Sequence, residues 1–281
     1  MTMRWDSEEP VLTRRLGGMD WLRVLGRGTL LAALVFGGLL VLLLLRLIER
    51  PLFGVKRPVT PWITVFVCRN ALRIMGLPLY TQGARLQGPG IWVANHTSWL
   101  DIFVLNARQP LYFVSKAEVA GWAGIGWLAR ATGTVFIERN PAKAREQKEM
   151  FEARLLAGHR LLFFPEGTST DGQQVLPFKS TLFAALFDPA LRDVLSVQPV
   201  SAYFQSPKGE DTRVYSWFGD MTFESHLLQV LALPRQGCVT LRYHPPVKVA
   251  DYADRKALAG ATETMVRDGH QDLGQARDQK N

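Results

Sequence analysis

The sequence contains little cysteine and lacks the common patterns of metal and nucleotide binding. Cys68 and Cys238 are the only cysteines among 281 residues, which is too few for a disulfide framework and fits no zinc-ligand spacing. No Gly-x-Ser-x-Gly nucleophile elbow occurs, which disfavours a hydrolase of that type. Zinc-finger, RNA-binding aromatic and glycine-lysine phosphate-loop patterns are also absent, so nucleic acid is not an expected partner. We therefore expect no metal and no cofactor in the chemistry.

One long stretch lacks charge altogether. Residues 28–45, GTLLAALVFGGLLVLLLL, are 18 consecutive residues without Asp, Glu, Lys or Arg. As a helix they would be about 27 Å long, which is just enough to cross the hydrocarbon core of a bilayer. A signal peptide would have a shorter apolar core and a small-residue cleavage site, whereas RLIERP follows here. Because the stretch is apolar on every face, it favours a membrane helix over a buried helix.

A second apolar stretch, residues 61–75, has the sequence PWITVFVCRNALRIM. We place Arg69 and Arg73 on one face of a helix, with Trp62 and Phe66 toward the other side. The stretch fits an interfacial helix with its arginines among lipid headgroups, and it fits a packed core helix equally well. Positive residues flank the first stretch on both sides, so the positive-inside rule does not decide whether it spans. A helical hairpin that dips into one leaflet fits both stretches.

The pattern changes to alternating strands and helices from Ile91 onward, which predicts a sheet flanked by helices. We divide the chain into a two-helix membrane-anchoring region (1–77), an α/β domain (78–250) and a polar tail (251–281), expected as a short helix followed by disorder. The predicted strands are IWVAN, LYFVS, TVFIE, RLLFFP, LSVQPV, RVYSWF and CVTLRY. The predicted helices are Trp99–Ala107, Ala123–Ala131, Ala142–Ala157 and Ser180–Phe187.

The first candidate site is the segment Asn95-His96-Thr97-Ser98-Trp99-Leu100-Asp101, where a strand gives way to a helix. Ser98 is a good helix cap, and Asp101 occupies the capping-box position. A turn after His96 would let Asp101 reach back to the imidazole. The carboxylate would then fix the tautomer, and the other ring nitrogen could take a proton from a hydroxyl. The alternative is a purely structural role, in which Asp101 is only a helix cap and His96 only a turn residue.

The second candidate site, Phe163-Phe164-Pro165-Glu166-Gly167-Thr168, follows another strand 70 residues beyond His96. A carboxylate between Pro and Gly at the carboxyl end of a buried strand is at a common site position in open α/β sheets. An exposed turn that needs Pro and Gly explains the same pattern.

Together the two segments resemble the glycerolipid acyltransferases, typified by 1-acylglycerol-3-phosphate acyltransferase. The segments GTVFIER and VQPV resemble two further family blocks, which end in Arg139 and centre on Pro199. The four blocks occur in the family's order over residues 80–245, and an apolar N-terminal region is also common in the family. The resemblance implies a mixed, mostly parallel sheet flanked by helices.

The resemblance also implies a mechanism without an acyl-enzyme. His96 would deprotonate an acceptor hydroxyl, Asp101 would orient His96, and the alkoxide would attack an acyl thioester. The residues implied in substrate binding are Arg139, Glu166, Gly167, Thr168, Lys116 and Pro199. A surface lysine is the alternative for Lys116.

The sequence departs from the lysophosphatidate enzymes directly after FPEGT. Those enzymes often carry an arginine there, whereas this chain has Ser169 followed by Thr170-Asp171-Gly172. This block, with the later VLPFKS, looks more like the bacterial lyso-ornithine lipid acyltransferases, which acylate the 3-hydroxyl of an amide-linked fatty acid. Arg139 would then meet the α-carboxylate, and Glu166 or Asp171 would face the amine. The alternatives are a 1-acylglycerol-3-phosphate acyltransferase and, more remotely, a non-catalytic lipid-binding membrane protein.

The charge balance indicates the partners. The 33 basic and 25 acidic residues give a net charge of +8, which suits anionic lipid surfaces or an acidic carrier protein. We expect membrane lipids, a lysolipid acceptor and an acyl thioester of acyl carrier protein or CoA as partners. We expect the bacterial inner membrane as the location, with the catalytic domain on the cytoplasmic side, where acyl thioesters are made.

Overall fold

The computed structural model describes Trp5, Ser7 and residues 14–122, 124–138 and 144–278. The helices of this part of the chain are α1 (Gly18–Phe53), α2 (Thr60–Met75), α3 (Leu100–Asn106), α4 (Ile125–Thr132), α5 (Ala144–Leu156), α6 (Phe223–Ala232) and α7 (Arg255–Asp278). Short 3-10 helices occupy Ala117–Gly121, Ser180–Phe187 and Val249–Asp251.

One sheet organises the domain. Its strands are β1 (Leu79–Gln82), β2 (Gly90–Ala94), β3 (Tyr112–Lys116), β4 (Val135–Ile137), β5 (Arg160–Phe163), β6 (Ser196–Gln205), β7 (Cys238–Tyr243) and β8 (Val247–Lys248). They lie in the order β1-β7-β6-β2-β5-β3-β4, with β8 beside β6. Strands β6, β2, β5, β3 and β4 are parallel, while β7 and β8 run antiparallel to β6. The predicted mixed, mostly parallel sheet is confirmed.

The sheet brings the two motifs to one edge. β2 and β5 are parallel neighbours with Val93 opposite Phe163, so both strands end at the same edge. His96 follows β2 and Glu166 follows β5 by two or three residues. Segments 70 residues apart in sequence therefore meet in space.

The core has one apolar layer on each face of the sheet. The layer on the face of α2, α3 and α6 includes Trp92, Ala94, Leu100, Val200 and Leu231. The layer on the opposite face lies beneath α5, α7 and the 3-10 helix at 180–187, and includes Val93, Phe151, Phe163, Phe183 and Val266.

Helix α1 covers the whole uncharged stretch and, among the described residues, is the one helix long and apolar enough to cross a membrane. Its 36 residues make a rod of about 54 Å. One narrow stripe is buried against α2 and α6, and most of the remaining apolar side chains, including Leu30, Phe36, Leu40 and Leu44, are exposed. A Cβ at Gly38 would lie 2.3 Å from a Val67 methyl, so glycine permits the close contact between α1 and α2.

Helix α2 combines the two alternatives considered for it. Its inner face is buried and carries Val65, Cys68, Ala71, Leu72 and Met75. Trp62, Phe66, Arg69 and Arg73 are all exposed, and their spacing puts them in one stripe. The prediction that the arginines and aromatics lie on different sides was wrong. The aromatics occupy the first half of the exposed stripe and the arginines the second half.

Three other predictions differ from the structure. The segment RVYSWF forms turns because its backbone bonds the motif loops, with the Trp217 N–H donating to the Thr97 carbonyl at 3.0 Å. Residues Ser180–Phe187 form a 3-10 helix. The tail contains a helix of 24 residues, α7, which packs against β6 because Leu258, Thr262, Val266 and His270 form a buried stripe.

Candidate functional site

The His96 imidazole lies beside the Asp101 carboxylate at the start of α3. The distance from His96 Nδ1 to Asp101 Oδ2 is 2.7 Å. The same oxygen accepts the backbone N–H groups of Thr97 and Ser98 at 2.8 and 3.0 Å. The Ser98 hydroxyl accepts the Leu100 N–H at 3.1 Å, so the predicted cap exists as well. A single turn therefore both begins the helix and orients the histidine.

This geometry determines which ring nitrogen of His96 carries the hydrogen. Asp101 is completely buried, and an ionised carboxylate can only accept hydrogen bonds. Nδ1 therefore carries the hydrogen, and Nε2 keeps a lone pair for an incoming proton. The His96 side chain remains 22% exposed, so substrate can approach it. The arrangement is that of a general base with an orienting carboxylate.

The second motif supplies a flat support for the imidazole. The Phe164 ring stacks on the His96 ring with 4.0 Å between centroids and 11° between planes. Phe113 of β3 lies behind Phe164, with 6.0 Å between their centroids. The imidazole is thereby held by a hydrogen bond at its edge and by an aromatic ring on one face.

Glu166 is buried behind the turn that carries His96. Its Oε1 accepts the His96 backbone N–H at 2.6 Å, and its Oε2 accepts the Leu176 N–H at 2.7 Å. The side chain is 1% exposed. Burial raises the pKa of Glu166 to about 8, although the two N–H donors act in the opposite direction. The expectation that Glu166 contacts substrate is thus not supported, because the carboxyl group instead fixes the backbone that carries the base.

Gly167 and Thr168 complete the turn after Glu166. Gly167 has a φ of 72°, a conformation that favours glycine, and its N–H donates to the Phe164 carbonyl at 3.0 Å. Thr168 is half-buried. The chain then returns to the first motif, since the Thr170 N–H donates to the His96 carbonyl at 3.0 Å. The turn therefore lies against both sides of the His96 backbone.

The remaining predicted site residues are in different environments. Lys116 ends β3, half-buried and paired with Ile137 of β4, so it lies at the same sheet edge as the motifs. Pro199 is buried within β6 opposite Val93, whose side chain belongs to the core layer away from α3. It therefore lies within the sheet, and its part in substrate binding stays a prediction. Arg139 lies outside the described residues.

Two supporting residues were missed by the sequence reasoning. The Asn95 side chain clamps β6, donating to the Ala202 carbonyl at 2.9 Å and accepting the Ala202 N–H at 2.8 Å. His226 of α6 accepts the Trp99 indole N–H at 2.8 Å. Asn95 could have been found from its place at a strand end, where an amide can replace ladder bonds. His226 has no sequence signal, because its partner is 127 residues away.

Comparisons with known proteins show which proteins the chain is similar to. A family described as Acyltransferase matches residues 78–202. The chain is 52% identical to a lyso-ornithine lipid O-acyltransferase of Rhodobacter capsulatus, over 94% of this chain and 96% of the relative. It is 38% identical to a Brucella abortus protein of the same name, over 72% and 79%.

A solved structure supports the fold. The crystal structure of the 1-acyl-sn-glycerophosphate acyltransferase PlsC from Thermotoga maritima matches with a TM-score of 0.62 and 22% identity, covering 91% of this chain and 96% of that one. At that identity the likeness concerns the fold alone. The family match, the full-length relatives and the His96–Asp101 pair together lead to one conclusion. The chain belongs to the acyltransferase family and is an enzyme that transfers acyl groups.

Proposed function

We propose that this enzyme moves a fatty acyl group from an acyl thioester to the hydroxyl of a lyso-ornithine lipid. The observation that carries the proposal is the His96–Asp101 pair at 2.7 Å in a chain similar, over nearly its full length, to proteins named for that reaction. The pair supplies the chemistry, and the relatives indicate the acceptor.

The reaction follows from the proton arrangement at His96. Nε2 takes the proton of the acceptor hydroxyl while Asp101 holds the Nδ1–H and stabilises the imidazolium. The acceptor oxygen attacks the thioester carbonyl and forms a tetrahedral oxyanion. Collapse of this intermediate forms the new ester and breaks the carbon–sulfur bond, and the thiolate takes the proton from Nε2. No covalent acyl-enzyme is needed.

The acceptor head is zwitterionic, so the site needs groups of both signs. Burial of Glu166 leaves Asp171 as the candidate for the amine, because its neighbour Thr170 bonds the His96 carbonyl. Arg139 follows β4 by two residues in sequence, and its planar guanidinium suits the α-carboxylate. Lys116 lies at the same edge, where it would bind the head group or polarise the thioester carbonyl.

Membrane association follows from the exposed apolar surfaces of α1 and α2. We assign the enzyme to the bacterial inner membrane with the sheet domain in the cytoplasm, because acyl thioesters are made there. Its donor is a thioester of acyl carrier protein or CoA, both anionic and suited to a chain of net charge +8. If this orientation is right, lysines of the sheet domain will resist an impermeant amine reagent applied to intact cells, and ready labelling would contradict it.

A direct assay tests the acceptor. Purified full-length protein is given labelled acyl donor with either lyso-ornithine lipid or lysophosphatidate, and the His96→Ala variant is the blank. We expect transfer to lyso-ornithine lipid with a higher kcat/KM. Preferred transfer to lysophosphatidate would replace this acceptor with the phosphate one, and release of free fatty acid alone would indicate hydrolysis.

A further inference from the structure

A basic cavity lies at the end of α3 that is remote from Asp101. Its volume is about 380 Å³, and it is bordered by Arg69, Arg73 and Arg108 with Leu72, Leu77 and Leu79. Ala107, which caps the carboxyl end of α3, is part of the border, whereas Asp101 is in the first turn of that helix. The cavity is therefore separated from the catalytic turn by the length of α3.

Each arginine side chain is fixed by one hydrogen bond and has further N–H donors that could bind a ligand. Arg69 Nε donates to the Ala107 carbonyl at 3.3 Å. Arg108 Nη2 donates to the Leu79 carbonyl at 2.7 Å. Arg73 donates to the Asn70 side chain at 3.0 Å. Arg108 Nε is buried without a partner. Over the described ranges no carboxylate pairs with any of the three.

Three guanidinium groups without a counter-charge favour an anion. The planar guanidinium binds phosphate oxygens in a fork, with charge-assisted hydrogen bonds stronger than neutral ones. The apolar part of the border suits a ligand that is polar at one end and hydrocarbon at the other. A cavity of this size is at the lower end of the roughly 300–1,000 Å³ typical of small-ligand sites.

The surroundings identify the source of the anion. Arg69 and Arg73 continue the exposed stripe of α2 that begins with Trp62 and Phe66, which are 56% and 61% exposed. Aromatic side chains next to arginines are typical of the boundary between hydrocarbon and headgroups. A phospholipid whose chains contact Trp62 and Phe66 would present its phosphate to the arginines. The same stripe disfavours an acyl carrier protein, whose surface is polar and acidic.

We propose that this cavity binds the phosphate of an anionic phospholipid that is neither substrate nor product, and that the bound lipid fixes the depth of α2 in the membrane surface. The proposal depends on membrane association but not on the identity of the acceptor. A lipid held here would stabilise the folded chain by RT ln(1 + L/Kd), where L is the lipid concentration in the micelle and Kd its dissociation constant.

Thermal unfolding of the full-length protein in mixed micelles provides the test. Dodecyl maltoside micelles are titrated with phosphatidylglycerol or, separately, phosphatidylcholine, and the melting temperature is followed against lipid mole fraction. We expect phosphatidylglycerol to raise the melting temperature progressively as its mole fraction increases. In Arg69→Gln/Arg73→Gln an at least tenfold higher mole fraction should be needed for the same rise in melting temperature, because two charge-assisted bonds are lost. Phosphatidylcholine should act equally weakly on both proteins.

Two further variants distinguish a specific binding site from general electrostatic attraction to anionic lipid. Arg255→Gln/Lys256→Gln removes two charges from the exposed start of α7 and should leave the titration unchanged. Arg69→Lys/Arg73→Lys keeps the charge but loses the fork, so it should bind more weakly than wild type. Equal losses in the α2 and α7 pairs, or full binding by the lysine pair, would overturn the site.

Separate measurements with inorganic phosphate and with acyl carrier protein test the source of the ligand. Inorganic phosphate at millimolar concentration should not reproduce the stabilisation, and if it does, the site binds free phosphate and the lipid proposal fails. Acyl carrier protein that stabilises wild type but not the glutamine pair would likewise replace the lipid with a protein partner. Transfer measured on a micellar lysolipid should be unchanged in the glutamine pair. If wild type itself shows no transfer, the proposed function fails independently of this cavity.

Discussion

The carboxyl groups of Asp101 and Glu166 have similar settings and different tasks. Both are at most 1% exposed, and each accepts two backbone N–H groups, Asp101 from Thr97 and Ser98 and Glu166 from His96 and Leu176. Only Asp101 also bonds the imidazole. The difference shows that one carboxyl orients the His96 ring and the other holds the backbone from which that ring projects.

The comparison also explains why the second motif is needed although its acid is hidden. Glu166 joins β5 to the turn after β2, because it bonds the His96 N–H and is itself carried by the neighbouring strand. Phe164 stacks on the ring from the same segment. Changes at the two acids should therefore affect different quantities, the chemical step at Asp101 and the stability of the turn at Glu166.

The base itself should give the largest effect. His96→Ala removes the group that accepts the hydroxyl proton, and loss of a general base costs about 10² to 10⁴ in turnover. The side chain is partly exposed, so the melting temperature should change little. Steady-state kinetics with both substrates saturating gives the comparison. Turnover close to wild type would remove His96 from the mechanism.

Asp101→Asn should come next, with a fall in kcat of about 10² to 10³ and a nearly constant KM, because a neutral amide no longer stabilises the imidazolium that forms when His96 takes the proton. An asparagine caps helices as well as an aspartate, so α3 should persist. Circular dichroism and kinetics of this variant are compared with those of wild type. An active Asp101→Asn enzyme would reduce Asp101 to a cap.

Arg139→Lys should selectively weaken binding of the acceptor. The substitution keeps the charge and loses the fork, and one charge-assisted bond is worth roughly 1.5–3 kcal/mol. The acceptor KM should therefore rise about tenfold to a hundredfold, with the donor KM unchanged. Varying the two substrates separately measures this. A selective loss for the donor would contradict the assignment, and joint losses with a lower melting temperature would indicate a structural ion pair.

Glu166→Gln should lower stability more than Asp101→Asn does. The glutamine amide must direct an N–H₂ group at the backbone N–H of either His96 or Leu176, which leaves a buried donor unpaired at a cost of about 1–3 kcal/mol. The effect on kcat, about tenfold, should be smaller than that of Asp101→Asn. Equilibrium unfolding of both variants supplies the measurement. Equal stability of the two variants would remove the proposed division of tasks.

The final prediction concerns the pH dependence of stability. The pKa of Glu166 is raised from its ordinary 4.5 to about 8 by burial, so the unfolded chain loses this proton before the folded one does. Stability from this group is complete below pH 4.5 and is lost as pH rises through 8. Because glutamine does not titrate, the advantage of wild type over Glu166→Gln should shrink between pH 5 and 8. A gap that stays constant would show that the carboxyl is ionised throughout.

The contact between His96 and Asp101 could be predicted from sequence because both residues belong to one turn. Five positions separate His96 from Asp101, and a helix start between them leaves few geometries. Glu166 was harder, since Pro-Glu-Gly fits an exposed turn as well as a buried one. Its partner Leu176 lies on a later segment, and its burial depends on packing that no local pattern reports.

Tertiary packing explains the errors in the fold. RVYSWF has the aromatic and β-branched residues of a strand, but Tyr215 is buried in the core and the Trp217 backbone bonds Thr97. The polar composition of the tail concealed the apolar stripe of α7. On α2, the spacing of Trp62, Phe66, Arg69 and Arg73 follows one helical face, so the exposed stripe was readable from the sequence and was misjudged.

The most direct test of the central claim is the position of one proton. Nitrogen-15 NMR of histidine-labelled enzyme at neutral pH, with His96→Ala to assign the signal, reports which ring nitrogen of His96 carries hydrogen. We predict hydrogen on Nδ1 and a free Nε2 in wild type and in Glu166→Gln. Hydrogen on Nε2 in the wild-type enzyme would contradict the assignment of His96 as the base oriented by Asp101.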